Sequence, residues 1–221
     1  MVQKRVVITG IGLISSLGEG PEAHWTALNS GDTPKLETER FAPYTVHPLP
    51  EVDWSQQIQR RSDQRQMETW QRIGTYVAGL ALADAGMKEV PELVSTMDMI
   101  VAAGGGERDT GVDTQILEAS RSRNDRELML NEKLTTELRP TLFLAQLSNL
   151  LAGNISIVHN VTGSSRTFMG EEGSGISAVQ TAFARIRAGQ GTHALVGGAL
   201  NSEHEDVFLT YELARHLQRD G

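Results

Sequence analysis

The chain has 221 residues, 39% of them hydrophobic and 22% charged, a net charge of -8 and no cysteine. That balance suits a soluble globular protein with a real core, in one large or two small domains. It excludes disulfides, thiolate–metal sites and a cysteine nucleophile outright, and its acidity disfavours nucleic acid, whose phosphates need a basic face.

In chain order, Arg5 to Thr9 (RVVIT) is a short β-branched run closed by Gly10-Ile11-Gly12, which predicts a buried strand and a glycine turn. Its apolar run is too short for a signal peptide. No stretch approaches 18 consecutive apolar residues, so no transmembrane helix is expected, and the expected location is cytoplasmic. Pro21 opens a helix with Trp25 and Leu28 on one face, stopped at Ser30-Gly31. Residues 32–62 carry Pro34, Pro43, Pro48 and Pro50 and read as an irregular excursion. Asp63 is a candidate cap for the next helix, where Trp70, Ile73, Val77, Leu80 and Asp84 recur at helical spacing up to Gly86.

Asp98 to Ala103 reads as a second buried strand, closed by Gly104-Gly105-Gly106. The charge-rich stretch 107–139 predicts solvated helices and a loop. Pro140 starts an apolar helix, with Gly153 as its expected C-cap. Ile155 to His159 reads as a strand, followed by a polar turn at Thr162-Gly163-Ser164-Ser165. After the glycine-rich junction Gly170-Glu171-Glu172-Gly173-Ser174-Gly175, Ile176, Val179, Phe183 and Ile186 space like one helix face ending at Ala188-Gly189. His193 to Val196 is a last strand, expected to stop at Gly197-Gly198. Alternating strands and helices, with 22 glycines against 7 prolines and 5% aromatics, argue for an α/β layered fold.

The run from Pro140 to Asn201 resembles the nucleophile region of the β-ketoacyl-acyl-carrier-protein synthases. That family has a helix, a strand, a loop glycine, a T-A-C-S/T-S-G elbow, a helix ending R-x-G and a V-x-G-G strand. Here the loop glycine is Gly163, the elbow Gly170 to Gly175, the helix end Arg187-Ala188-Gly189 and the strand Ala194 to Ala199. The opening VVITGIGLISSLG and the run Val101 to Gly106 are similar to the family's first strand and second-strand region. Residues 32–95 and 107–139 match weakly. The resemblance implies an α/β, thiolase-like layered αβαβα fold, of which residues 1–221 form the N-terminal half. It implies no cofactor and no metal.

In this register Glu172 falls where the family has its cysteine, Glu171 on the preceding alanine and Gly170 on the threonine. Gly173, Ser174 and Gly175 complete the elbow as backbone-turn or substrate-binding positions. The family's chemistry needs a thiolate at a helix start, where the dipole and backbone N–H groups lower the thiol pKa and hold the oxyanion. A carboxylate is a poor thioester acceptor, because its acyl product is a labile mixed anhydride. The expected protein is therefore a condensation-deficient partner or chain-length-factor-like subunit in fatty-acid or polyketide assembly. Alternatives are a malonyl-carrier decarboxylase or other carrier-dependent acyltransferase, and a non-catalytic carrier-binding scaffold. A plain reading of Glu171 and Glu172 also stands: two acids in a helix's first turn complement its dipole.

The expected partners are an acyl carrier protein, a second copy or a cysteine-bearing synthase as homodimer or heterodimer, and a C-terminal half of the same protein. A carrier protein is itself acidic, so its docking calls for a local basic patch. The family's two histidines and lysine belong to that C-terminal half, and a clipped or longer chain is the favoured expectation. None of the six histidines lies in a family motif; His159 and His193 read as satisfied core or surface residues. Two other classes compete poorly. A dinucleotide turn at Thr9-Gly10-Ile11-Gly12 fails because Ser15 stands where the third glycine belongs. A serine elbow at Gly173-Ser174-Gly175 fails because Glu172 stands two before the serine.

Overall fold

The computed structural model describes residues 4–31, 34–170 and 172–217. The N-terminal residues 4–13 run outside any strand, against the strand expected at Arg5 to Thr9. They lie along a later helix instead. A Cβ on Gly12 would stand 1.9 Å from the Val77 carbonyl oxygen, and one on Gly10 would stand 2.4 Å from that of Ala81. Both glycines are therefore required by close backbone approach, and the Ile11 N–H donates to Asp84 at 2.8 Å. The short hairpin β1 (Ile14–Ser15) and β2 (Gly18–Glu19) leads into α1 (Gly20–Ser30), whose C-cap Gly31 is left-handed at φ 71°.

Helix α2 (Arg61–Gln66) is preceded by Arg60 at the N-cap position, and Asp63 sits inside its first turn, so the expected Asp63 cap is not made. The long α3 (Thr69–Asp84) starts at a capping box: Glu68 accepts from the Gln71 N–H and Gln71 accepts from the Glu68 N–H. Arg139 adds an ion pair to Glu68. Nine of the sixteen α3 residues are buried, which makes it the scaffold of the fold. A short α4 (Pro91–Val94) precedes β3 (Asp98–Ala103), buried along nearly its whole length as its apolar run predicts.

Solvated helices α5 (Thr110–Ser122) and α6 (Arg126–Thr136) occupy the charge-rich stretch. The single helix expected from Pro140 to Gly153 is two: α7 (Leu142–Ala145) and α8 (Leu150–His159). Gly153 lies inside α8, and the strand expected at Ile155 to His159 is its second half. The reason is packing. Leu151, Ala152 and Ile155 form one buried helical face, and Leu151 presses on α3 where a Cβ on Gly74 would stand 2.5 Å away. The strand appears later, as β4 (Ser165–Met169). Then follow α9 (Ser174–Arg187), β5 (Ala194–Ala199) and α10 (Glu205–Leu213). Gly197 and Gly198 lie within β5 and do not end it; a Cβ on Gly198 would meet the Ala102 carbonyl oxygen of the neighbouring strand at 3.0 Å.

The three longer strands form a parallel sheet in the order β4-β3-β5. On one face Met99, Val101 and Ala103 pack with Trp70, Ala78 and Leu82 of α3 and with Leu151 and Ile155 of α8. On the other face Ile100 packs with Ala178 and Ala182 of α9. The result is a helix–sheet–helix sandwich whose strands share one carboxyl edge.

Candidate functional site at the carboxyl edge of the sheet

In parallel α/β sheets the carboxyl ends of the strands are where loops converge to bind or react. Here the register aligns Met169 of β4, Ala103 of β3 and Ala199 of β5 in one row. Gly170, the glycines 104–106 and the loop from Leu200 therefore leave the sheet side by side.

The junction is a strand-to-helix elbow. Gly170 turns out of β4 at φ 118°, and Gly173 is the N-cap of α9 at φ 74°, ψ -10°. Nothing lies within 4 Å of where a Cβ on Gly173 would stand, so glycine is required there by the left-handed backbone and not by space. Any other residue would cost about 1–2 kcal/mol. The Ser174 hydroxyl donates back to the Gly170 carbonyl at 2.5 Å, which staples the elbow. Gly175 follows in the first turn, with open space around it.

Glu172 is exposed and precedes the N-cap, so it is not in the first turn of α9, which holds no acid. The expectation of acids inside that turn is thereby corrected for Glu172; Glu171 lies outside the described residues. Gly173 at the N-cap position supplies no side-chain cap. The first-turn N–H groups and positive dipole end of α9 lie at the elbow, the arrangement that holds a carboxylate or an oxyanion. Large apolar side chains flank it in the open: Met169 is 68% and Ile176 is 75% exposed.

Beside the elbow the same edge holds a cavity of about 210 Å³, walled by Trp70, the backbone of Gly104 to Gly106, and Thr210 and Tyr211 of α10. Its polar lining was not legible in the sequence. Glu107 opens a run read as solvated, yet it is buried. Its carboxylate accepts from the Asn201 amide at 2.9 Å and lies 4.0 Å from His204 Nε2. His204 Nδ1 lies 2.5 Å from Asp206 Oδ1, while Asp206 Oδ2 accepts the Arg108 N–H at 3.0 Å. Nearby, burial holds the Arg72 guanidinium below its ordinary value, and the Glu107 carboxylate acts against that shift. Sequence signals for this group are absent, because the parallel register brings together residues about 100 positions apart. His159 and His193 take no part. His159 is buried and hydrogen-bonds the Thr75 carbonyl, and His193 hydrogen-bonds the Leu93 carbonyl at the surface.

A parallel sheet between helix layers, with a glycine elbow leading from an edge strand into a helix, defines the N-terminal region of the duplicated thiolase-like ketosynthase fold. The chain belongs to the family described as "Beta-ketoacyl synthase, N-terminal domain", whose model matches residues 3–221. It is 25% identical over 204 residues to the 3-oxoacyl-[acyl-carrier-protein] synthase 2 of Vibrio harveyi, covering 90% of this chain and 46% of that protein. It is 29% identical over 199 residues to the tetracenomycin polyketide synthase ketoacyl synthase beta subunit of Streptomyces glaucescens, covering 87% and 45%. The chain thus spans about half the length of the curated relatives it matches.

Among solved structures it is similar to the ishigamide ketosynthase/chain length factor, with TM-score 0.74 and 22% identity over 99% of this chain and 53% of that one. A type II polyketide synthase acyl carrier protein in complex with its ketosynthase bound to the hexaketide gives TM-score 0.69 and 20% identity, over 96% and 55%. Among the described residues no helix is long and apolar enough to cross a membrane.

Proposed function

We propose that this chain is the N-terminal half of a condensation-deficient β-ketoacyl synthase homologue. It acts in the cytoplasm, in fatty-acid or polyketide assembly, as the chain-length-factor-type partner of a cysteine-bearing synthase. One observation supports the reading: a strand-to-helix elbow turned by Gly170 and Gly173 and stapled by Ser174 has Glu172 just before its N-cap, in a sequence with no cysteine. A carboxylate before the open N-terminus of α9 is electrostatically at ease there but does not form a durable acyl intermediate. The similarity to a ketoacyl synthase beta subunit supports the partner role.

Two surfaces support the partners. The outer face of α9 exposes Ile176, Val179 and Phe183, large apolar groups on a helix whose inner face already packs on the sheet. A helix apolar on both sides suits the middle layer of an αβαβα stack, where a C-terminal half would cover it. Strand β4 forms one edge of the sheet and offers a backbone ladder to a second subunit. The partner complex at a related ketosynthase suggests an acyl carrier protein as the substrate donor.

The test combines two measurements on the protein. Co-expressed with a cysteine-bearing synthase, it should form a stable heteromer by native mass spectrometry, with no acyl adduct on this chain. The Glu172→Cys variant should then gain an acyl mass from an acyl-carrier thioester. Turnover of malonyl-carrier by this chain alone would favour a decarboxylase instead. Failure of both heteromer formation and acyl capture by Glu172→Cys would overturn the register and the partner role together.

A further inference from the structure

We propose that α10 is a movable cover over the cavity at the carboxyl edge of the sheet, latched by Phe208 between Phe41 and Tyr44 and by Asp206 against Arg108. The inference stands on the geometry of α10 and does not depend on the role assigned to Glu172.

The two walls of the cavity differ in how they are held. One wall is the sheet edge with Trp70, a residue of α3 that is 3% exposed and packed in the main core. The facing wall is α10, which contributes Asp206, Val207, Thr210 and Tyr211. None of the nine α10 residues is buried, and Leu209 and Leu213 are 60% and 76% exposed. Within this chain α10 is the less embedded wall and α3 the more embedded one, and local opening is expected in that order. The cavity therefore has one fixed wall and one wall that can lift.

The latch has two parts, both near the start of α10. Phe208 stacks on Tyr44, with ring centroids 5.5 Å apart and planes 4° apart, and tilts on Phe41 at 5.0 Å. The receiving segment is firm. Phe41 and Val46 are buried, and Glu37 and Val46 form a bridge. The second part is polar. Asp206 accepts the Arg108 N–H through one oxygen, while its other oxygen meets Nδ1 of His204 within the same helix start. Arg108 in turn pairs with Asp113 at the start of α5. Asn201 to His204 form an irregular loop before the helix, tied through Asn201 to Glu107 and through Glu203 to Leu49, so that the helix would lift about this tethered end.

The experiment uses Trp70 as a reporter on the fixed wall. Replacing Trp25 and Trp54 by phenylalanine leaves it as the sole tryptophan. Acrylamide, a small neutral quencher, then reads access to the cavity. The Phe208→Ala variant should raise the quenching constant of Trp70 roughly threefold or more, as expected when a local opening is favoured over a closed state. Amide exchange should quicken in residues 205–213 and 104–107, with α3 and α8 unchanged. Asp206→Asn, which keeps shape and removes the charge, should give a smaller rise in the same places. If Phe208→Ala folds poorly, Tyr44→Ala opens the same latch from the other side. Equal quenching in the parent and in the latch variants would overturn the proposal. So would exchange in α3 and α8 rising in parallel with the quenching, since the loosening would then be global.

Discussion

The two faces of the sheet are built by different rules. On the α3/α8 face, large side chains interlock: Met99 and Val101 from β3, Leu151 and Ile155 from α8, Trp70 and Leu82 from α3. On the α9 face the sheet meets alanines, Ala178 and Ala182, and the larger α9 side chains point away. Small residues bring α9 close to the sheet. That closeness places the elbow directly over the strand ends, and it spends the helix's large apolar groups on its far side. One face of the sheet carries an interlocked core, whereas the helix on the other face leaves its large apolar groups exposed.

The largest expected effect breaks the interlocked face. Leu151 is 1% exposed and wedged against Gly74. Leu151→Ala removes its burial and leaves a cavity that two packed helices cannot close, so it should destabilise by about 3–4 kcal/mol in urea unfolding. An unchanged midpoint would show that α8 does not carry the core. Next comes Gly12→Ala, whose Cβ would stand 1.9 Å from the Val77 carbonyl oxygen. Since backbone cannot yield as a side-chain tip does, a loss of about 2 kcal/mol is expected. A loss near zero would mean that residues 4–13 do not rest on α3.

How much of this was legible follows from where each signal resides. Strand β3 and helix α3 were readable, because a buried parallel strand is a continuous apolar run and α3 keeps a spacing of three and four. Residues Ile155 to His159 misled, since β-branched ISIVH suits a strand locally. The spacing of Leu151, Ala152 and Ile155 against α3 decides for a helix, and tertiary packing overrides propensity. Strand β4 (SRTFM) was missed because an edge strand carries mixed polarity. The glycine junction announced the elbow, while the position of Glu172 before the cap depends on Gly173 turning left-handed. Glu107, His204 and Asp206 left no local trace, because only the parallel register brings their loops together.

A smaller effect depends on pH and separates the two faces by protonation. His159 is buried on the interlocked face, with Nε2 2.8 Å from the Thr75 carbonyl oxygen. Burial holds its imidazole below the ordinary histidine value, the Thr75 hydrogen bond opposes that shift, and Lys88 adds to it. As pH falls through about 6.5, the unfolded chain takes up the proton first and the folded state loses ground. Stability is then full above that pH and declines below it, at no more than about 1.4 kcal/mol per pH unit from this group. His159→Gln keeps a donor for Thr75 and cannot titrate. Its urea midpoint should fall less between pH 7.5 and pH 5 than that of the parent. Parallel pH profiles would remove His159 as a source of acid sensitivity.

The smallest expected effect is the most informative about the other face. Ile176 is 75% exposed and Val179 is 58% exposed, on the side of α9 turned from the sheet. In a chain whose α9 is uncovered, Ile176→Glu should change stability by about 0.5 kcal/mol or less, the usual range for a surface position. A carboxylate there would then be solvated. Where a further layer covers α9, the same carboxylate would be buried without a partner, and the cost would rise to several kcal/mol or assembly would fail. Measuring the variant with and without the cysteine-bearing synthase, and in a polypeptide extended to the relatives' length, sorts the cases. A penalty only in the extended polypeptide places the C-terminal half on α9. A penalty only with the synthase places the synthase there. No penalty in any setting means that the alanine face of α9 is its one buried face, and the layered stack proposed for this chain fails.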